Sequence, residues 1–475
     1  MKYKKSIFIF RRDHRIPDNI GLIEALKSSE KVIPIFILTP EQLKNNTYKS
    51  DNCVQFMMES LTELNSAITQ YKSKLLFFQG TQSEVINKLL NDDDQIGAVF
   101  MNVDYSPYAI KRDTDIKETC ESTVRDDPDT EDGTIQVDCN GYEDYVLNPI
   151  GSITNSGGKV YSKFTPYYTS AKSKPVAKPI NPTPTILGRL MSATGLSQIK
   201  GTYKGSLEAF YEHNPKLFKN GGRSHALEIL SNLKDFKDYN KKRDFLGYNT
   251  THLSAYLKFG CISIREAYHA FKAKLGPSND LIKQLYWRDF YHNITWGFPH
   301  VIGGPMKEQY SKLEWDNNPT FFNKWKNGET GYPIVDAAMR SMNETGFMHN
   351  RARMIVSSFL IKILLIDWMK GEKYFAQTLY DYDIHNNNGG WQWSASTGAD
   401  SQPYFRIFNP WLQSEKYDSN AEYIKKWIPE LAEVPAKHLH QWHKYHEEYP
   451  KINYPAPIVD YATNKEISIK RYKKI

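Results

Sequence analysis

Four short runs of apolar, β-branched or aromatic residues punctuate the first hundred positions: Ser6 to Phe10, Val32 to Leu38, Leu75 to Phe78 and Ile96 to Asn102. Each has the length and bounds of a buried strand. Helix-spaced patterns lie between them. The clearest runs from Cys53 to Lys72, where Met57, Leu61, Leu64, Ile68 and Tyr71 recur at steps of four and three. Strand–helix alternation predicts an α/β N-terminal domain over residues 1–130, a doubly wound parallel sheet wrapped by helices. From about Ser122 the pattern fails. Arg125 to Gly133 reads as an acidic, solvated loop. Gly157-Gly158 and the stretch Ala171 to Thr185, with Pro175, Pro179, Pro182 and Pro184, exclude helix or central strand. Residues 131–205 are therefore expected as a connector over the surface of both halves. From about Leu207 onward the signals are helical, as in Asp336 to Met342 and His349 to Trp368, interrupted by Gly346. An all-α C-terminal domain over 206–475 is expected, and no internal repeat is present.

A chain of 475 residues can support two or more domains with sizeable cores. The net charge of +7 allows a polyanionic partner without demanding one. Cys53, Cys120, Cys139 and Cys261 are scattered, with no CxxC and no histidine at metal spacing, so free thiols in a reducing compartment and no metal site are expected. The N-terminus lacks a signal-peptide apolar region. The most apolar segment, Phe359 to Met369, is too short to span a bilayer and contains Lys362. A soluble intracellular protein is the expectation. The turn after the first strand, Arg11-Arg12-Asp13, has none of the glycines of a dinucleotide fingerprint, which argues against a nicotinamide dehydrogenase. Arg11, Arg12, Asp13, Arg15, Asp18 and Asn19 support two readings: a ligand site at the carboxyl end of the sheet, or a salt-bridged helix start capped by Asp18.

The richest chemistry lies between Asp381 and Asp418. Two carboxylates stand two apart (Asp381, Asp383), three amides follow in a row (Asn386, Asn387, Asn388), and a Gly389-Gly390 break precedes Trp391-Gln392-Trp393. Carboxylates and amides suit the edge of a polar heterocycle, and indoles offer stacking faces with one donor each. A well-packed turn between two helices would explain the composition equally blandly.

Segments elsewhere line up with this stretch. FRRDHRIPDN opens the chain, KFTPYY stands at 163–168, and Thr250-Thr251-His252-Leu253-Ser254, QLYWRDFY, GYPIVDAAMR, MHNR and NNGGWQW follow in order. At these residues the chain resembles the photolyase/cryptochrome family, most closely the class I photolyases that act on cyclobutane pyrimidine dimers. The resemblance runs from about Phe8 to about Pro429. It implies an N-terminal antenna domain and a helical domain holding FAD, reduced in the active form. Tyr239, Thr250, Thr251, Leu253 and Ser254 would hold the phosphates and ribityl chain. Arg353 and Asp381 would pair beside the flavin ring, with Asp383 and Asn387 at its polar edge. The lesion site maps to Gln284, Trp287, Asn350, Arg351, Met354 and Trp393, while Arg351, Arg406 and Lys416 would grip phosphates. Trp391, Trp368 and Trp315 match the family's electron-transfer chain. The partner implied is damaged DNA, met by a monomer away from any membrane. An antenna chromophore (methenyltetrahydrofolate, a deazaflavin, a second flavin, or none) would sit near Arg11, Asp104 and Tyr105.

Two departures from the family pattern matter. Gln284 stands where class I dimer photolyases usually carry Glu, and Gln is more typical of (6-4) photolyases and animal cryptochromes. Phe347 stands where Trp is frequent. The (6-4) branch needs two histidines, and their places fall at Asn350 and Met354, neither of which is an acid at neutral pH. The dimer reading therefore leads. A cryptochrome-type blue-light receptor and, behind it, a (6-4) photolyase are the rivals. Lys465 to Ile475 reads as a short basic tail with three readings, a DNA contact, a targeting signal or simple disorder, of which disorder leads.

Overall fold

Tyr3–Phe10 form strand β1, and its last five side chains are all buried, as a strand covered on both faces requires. Strands β2 (Ser29–Leu38), β3 (Leu76–Gln79), β4 (Ile96–Asn102) and β5 (Asp138–Tyr142) complete a sheet of order β3-β2-β1-β4-β5. All four pairings are parallel, with Phe8 opposite both Pro34 and Phe100. Helices α1 (Ile20–Ser28), α2 (Asp51–Thr69), α3 (Gln82–Asp92) and α4 (Pro107–Ser122) provide the crossovers. The computed structural model describes residues 1–44, 46–126 and 134–475.

Alternation along the strands sorts the core into two layers. Phe8, Phe36 and Phe100 share one cluster with Leu22 and Leu26 of α1 and Phe56, Leu61 and Leu64 of α2. Ile7, Ile9, Ile35, Val99 and Met101 face the other way, against Ile86 and Leu89 of α3 and Ile116 of α4. The first cluster runs on without a gap into Tyr256, Phe259, Leu285 and Phe290 of the helical half, so one sheet face is the floor on which that half sits. This is the expected doubly wound α/β domain joined to an all-α domain.

Several expectations change in detail. The cap of α1 is Asn19, whose side chain accepts from Leu22 N, and not Asp18. Asp18 instead binds Arg265 at 2.8 Å, and Arg15 binds Asp144 at 2.6 Å, so most of this arginine-rich turn is a salt-bridged junction. The stretch 131–205 is more than a connector, because Asp138–Tyr142 adds an edge strand to the sheet and Leu190 bridges to Val32. The polar DCNGY lacks an apolar run because an edge strand pairs on one side only, and periodicity cannot find it. Arg125 and Asp126 belong to a short strand, Val124–Asp126, antiparallel to Thr134–Gln136; the rest of the expected acidic loop, 127–133, lies outside the described residues.

In the helical half, the elements that matter for function are α5 (Ser254–Lys258), α6 (Asp280–Gly297), α7 (Pro333–Thr345), α8 (Asn350–Ser358), α9 (Trp368–Thr378), α10 (Ile384–Ala395), α11 (Pro410–Tyr417) and α12 (Tyr461–Lys473). Gly346, at φ +69°, ends α7 in the left-handed conformation that only glycine adopts freely. The basic segment 465–475 is not a loose tail. It forms most of α12, which buries Ser468 and Tyr472 and ties Arg471 to Asp316 at 2.6 Å. Among the described residues no helix is long and apolar enough to cross a membrane.

Candidate functional site

The Gly389-Gly390 pair was expected to break the chain, yet both residues lie inside α10. Packing explains the first glycine: a Cβ on Gly389 would stand 2.1 Å from Cδ1 of Tyr291, so only glycine lets α10 approach α6 this closely. Asp383 caps the helix, with Oδ1 accepting from the backbone N of Asn386 at 3.0 Å and its Nδ2 at 2.8 Å. Oδ2 of Asp383 accepts from Nη2 of Arg12 at 2.5 Å, so both oxygens are engaged within the protein. Burial alone would raise this carboxyl. Arg12, with His292, His385 and Arg288, instead holds it well below the usual carboxylate range. Of the three amides, Asn386 serves the cap and Asn388 donates to Val301 O at 2.9 Å.

Asn387 is the amide placed differently. Its Nδ2 donates to the backbone O of Glu372 at 3.0 Å and to Oε1 of the same residue at 3.2 Å. Burial pushes the Glu372 carboxyl up to about 7, against the pull of Tyr48 and Asn387. Neither Glu372 nor Tyr48 was singled out in the sequence. No local pattern marks a lone glutamate on α9 as buried.

Two residues away, Asp381 accepts from Nη2 of Arg353 at 3.0 and 2.9 Å and from the hydroxyl of Ser254 at 2.6 Å. Ser254 opens α5, whose cap residue Leu253 offers no side-chain bond to the helix start. Thr251 and Leu253 are buried and Thr250 is half-buried; neither threonine is the cap. Tyr239 is buried too, and burial pushes its hydroxyl up to about 12. Around the Arg353–Asp381 pair, two buried polar atoms have no hydrogen-bond partner among the described residues: His252 Nδ1 and Tyr380 Oη. Buried polar atoms are ordinarily satisfied. A polar cofactor in this cleft would satisfy them, so the residues present fit such a group.

A second set of residues borders the same helices. Trp287 on α6 lies flat on Phe164, with ring centroids 3.6 Å apart and planes 6° apart, and Gln284 sits one turn earlier. Asn350 and Met354 stand one turn apart on α8 and touch, Nδ2 to Sδ at 3.7 Å. Trp393 on α10 is half-buried. Arg406 and Lys416 are exposed, close in sequence to the exposed Phe405 and Leu412. Arg351, expected to grip phosphate with them, is instead neutralised by Asp244 at 2.7 Å and stacked over Tyr417 at 4.5 Å. A carboxylate more than a hundred residues upstream left no sign of this pairing in the sequence.

Trp391 and Trp368 are buried and Trp315 is half-buried, a gradient from core to surface. Trp391 packs on Phe375 at 4.9 Å and over Gly371, where a Cβ would lie 2.2 Å from the indole. Trp315 meets Tyr472 of α12 edge-on at 6.5 Å. In the α/β half, the Arg11 guanidinium fills the carboxyl end of the sheet, bound to Asp113 at 2.7 Å and Gln82 at 2.9 Å. Asp104 binds Arg12 at 3.0 Å, and the Tyr105 hydroxyl binds Glu143.

A doubly wound domain seated on a helical domain, with a polar cluster around Arg353–Asp381 and a stacked aromatic pair and exposed cations elsewhere on the helical half, defines the class: a two-domain α/β plus all-α protein. Comparison with known proteins makes this specific. Residues 6–185 match the family model described as DNA photolyase, and residues 281–474 match the FAD binding domain of DNA photolyase. The deoxyribodipyrimidine photo-lyase of Salmonella typhimurium is 33% identical over 485 aligned positions, covering 98% of this chain and 97% of the relative. An archaeal photolyase from Sulfolobus tokodaii, whose structure contains two FAD molecules, superposes with a TM-score of 0.83 at 37% identity, covering 99% and 100% of the two chains. A Synechocystis cryptochrome shares the fold, with a TM-score of 0.85 at 24% identity over 99% of this chain and 100% of that one. The chain belongs to the DNA photolyase family.

Proposed function

We propose that this protein repairs DNA in light, splitting cyclobutane pyrimidine dimers with reduced FAD held in its helical domain. The observation that supports this most is one of placement. Gln284, Trp287, Asn350, Met354 and Trp393 stand at half-buried or exposed positions on α6, α8 and α10, helices packed together around the Arg353–Asp381 pair and Asn387. Reduced FAD, when bound, supplies under near-ultraviolet or blue light the electron that opens the cyclobutane ring, and it takes that electron back. Everything else is the work of side chains. Arg353, Asp381, Ser254 and Asn387 hold and orient the cofactor, with Tyr239, Thr250, Thr251 and Leu253 around its phosphates.

A dimer must leave the duplex to reach that cleft, and unstacking costs a few kcal/mol, least for a damaged pair. Trp287, already fixed against Phe164, and Trp393 offset part of the cost by stacking, about 1–3 kcal/mol per base. Gln284 and Asn350 offer hydrogen bonds to the base edges. Arg406 and Lys416 are the cations for the flanking phosphates. Trp391, Trp368 and Trp315 form the route by which electrons reach oxidised flavin from the surface.

Gln284 favours the rival readings, a light sensor or a (6-4) enzyme. Against the latter, Asn350 and Met354 supply no acid, and the His349 ring is taken up in capping α8, its Nδ1 accepting from Arg351 N at 3.1 Å. Burial holds that imidazole down at about 4. Retention of DNA in the dark separates the cases. Filter binding with undamaged, dimer-bearing and (6-4)-bearing duplexes should show selective retention of the dimer; equal retention of all three would sink the proposal.

A further inference from the structure

Arg12 leaves the end of β1 and places its guanidinium at the junction of the two domains. Nη1 donates to Asp104 Oδ2 at 3.0 Å, Nη2 to Asp383 Oδ2 at 2.5 Å, and Nε to the backbone O of Lys258 at 3.1 Å. The group also lies over the Tyr145 ring, 5.5 Å from its centroid. Asp104 belongs to the α/β half, two residues beyond the end of β4. The other two acceptors belong to the helical half: Asp383 caps α10, and Lys258 is the last residue of α5. One side chain of the α/β half thus fixes one end of each of two helical elements. Those elements carry Asn387 on α10 and Ser254 at the far end of α5. The fit is close on the backbone as well, since a Cβ on Gly260 would stand 2.2 Å from the Arg12 carbonyl oxygen.

The arrangement uses the shape of arginine. Three nitrogens at fixed angles each meet a different acceptor, which a point-like ammonium cannot reproduce. The electrostatics are equally specific. Facing Asp383 are Arg12 from β1, Arg288 and His292 from α6, and His385 from its own helix. Asp104 also stands within reach of His385, 3.5 Å from its Nε2. Arg12 is the only one of these groups bonded directly to the Asp383 carboxylate among the described residues.

We propose that Arg12 is a positioning residue for the flavin site, acting across the domain junction through Asp383 and the end of α5. This rests on the reading of that cleft as the FAD site. A negative charge left beside the site disfavours adding electrons to the bound ring, and a neutral partner favours it. The pair Arg12–Asp383 therefore sets the flavin's midpoint potential as well as the seat of α10.

The test uses the full-length, FAD-loaded protein with Arg12→Gln, Asp383→Asn, the double variant and Arg12→Lys. Melting temperature, FAD retention and the midpoint potential of the bound flavin are measured for each. Arg12→Gln should lower the potential, Asp383→Asn should raise it, and the double variant should return towards the unmodified value, because the lost charges cancel. Arg12→Lys should keep the potential but weaken FAD retention on the order of tenfold, the scale of one lost charge-assisted bond. If Arg12→Gln does not fold, Asp383→Asn and Arg12→Lys still decide the matter. Variants that melt lower while every bound flavin keeps its original potential would show a mere clamp and overturn the proposal. Failure of the unmodified protein to bind FAD would instead refute the cofactor reading beneath it.

Discussion

On the proposed reading Trp287 is a core anchor and a stacking platform together. Its stacking on Phe164 fixes the ring plane before any base arrives, which removes an ordering cost from binding. Trp287→Ala should weaken dark binding of a dimer-bearing duplex about tenfold or more while FAD stays bound; an unchanged affinity in a titration would remove Trp287 from the lesion site. Glu372 makes a different kind of statement. Burial raises its carboxyl from the ordinary 4.5 to about 7, so across that window the folded chain holds the proton more tightly than the unfolded one. Its contribution to stability is complete below pH 4.5 and is lost as pH rises through about 7. Glu372→Gln should therefore make the decline of melting temperature between pH 4.5 and 7 shallower. Other buried acids, among them Asp289 at about 7, keep some slope in place. An identical slope in the variant would show that Glu372 is not held protonated.

At the scale of elements, α10 carries the residues that the proposed function gives to cofactor, lesion and electron route, and its seat against α6 depends on one missing methyl group. Gly389→Ala should cost about 1–3 kcal/mol by overpacking on Tyr291, while Gly390→Ala, which meets nothing within 4 Å, should be tolerated. Thermal melts of the pair would check this; equal melting temperatures would mean that Tyr291 moves freely. The comparison also marks what the sequence could reveal. Long amphipathic helices such as α2, and strands of β-branched residues such as β2, announce themselves by period. Gly389 read as a break because composition cannot distinguish a glycine that bends the chain from one that admits a neighbouring ring. The edge strand β5 and the docked helix α12 were missed for a related reason: each is polar on most positions and is held by a few partners distant in sequence, as Tyr472 is by Ala395 O at 2.7 Å.

At the scale of the molecule, two domains share one core across a sheet face, and charge is distributed unevenly over the site they form. The sequence supplied Arg351, Arg406 and Lys416 as equivalent phosphate contacts, but among the described residues Arg351 is in an ion pair and Arg406 and Lys416 are in none. Neutralisation of phosphates gives each contact a share of the salt dependence of binding. Arg406→Ala and Lys416→Ala should each lower the slope of log affinity against log salt by about one, and Arg351→Ala should leave it nearly unchanged. Equal slopes for all three variants would show that the Asp244 pair opens to DNA. The family motifs name residue types at fixed order, and the fold brings Ser254, Arg353 and Asp381 from three segments of the chain into contact. The motifs gave the Arg353–Asp381 pair but not Arg351 with Asp244 or Arg12 with Asp383, which depend on the fold.

The most direct test of the central claim is repair itself. Photoreduced, FAD-loaded protein is incubated with an oligonucleotide carrying one thymine dimer, in blue light and in darkness, with a (6-4) oligonucleotide in parallel. The account predicts restoration of the dimer alone, in light alone. FAD bound and photoreducible, with neither lesion restored, would contradict it and leave a light sensor built on the same fold.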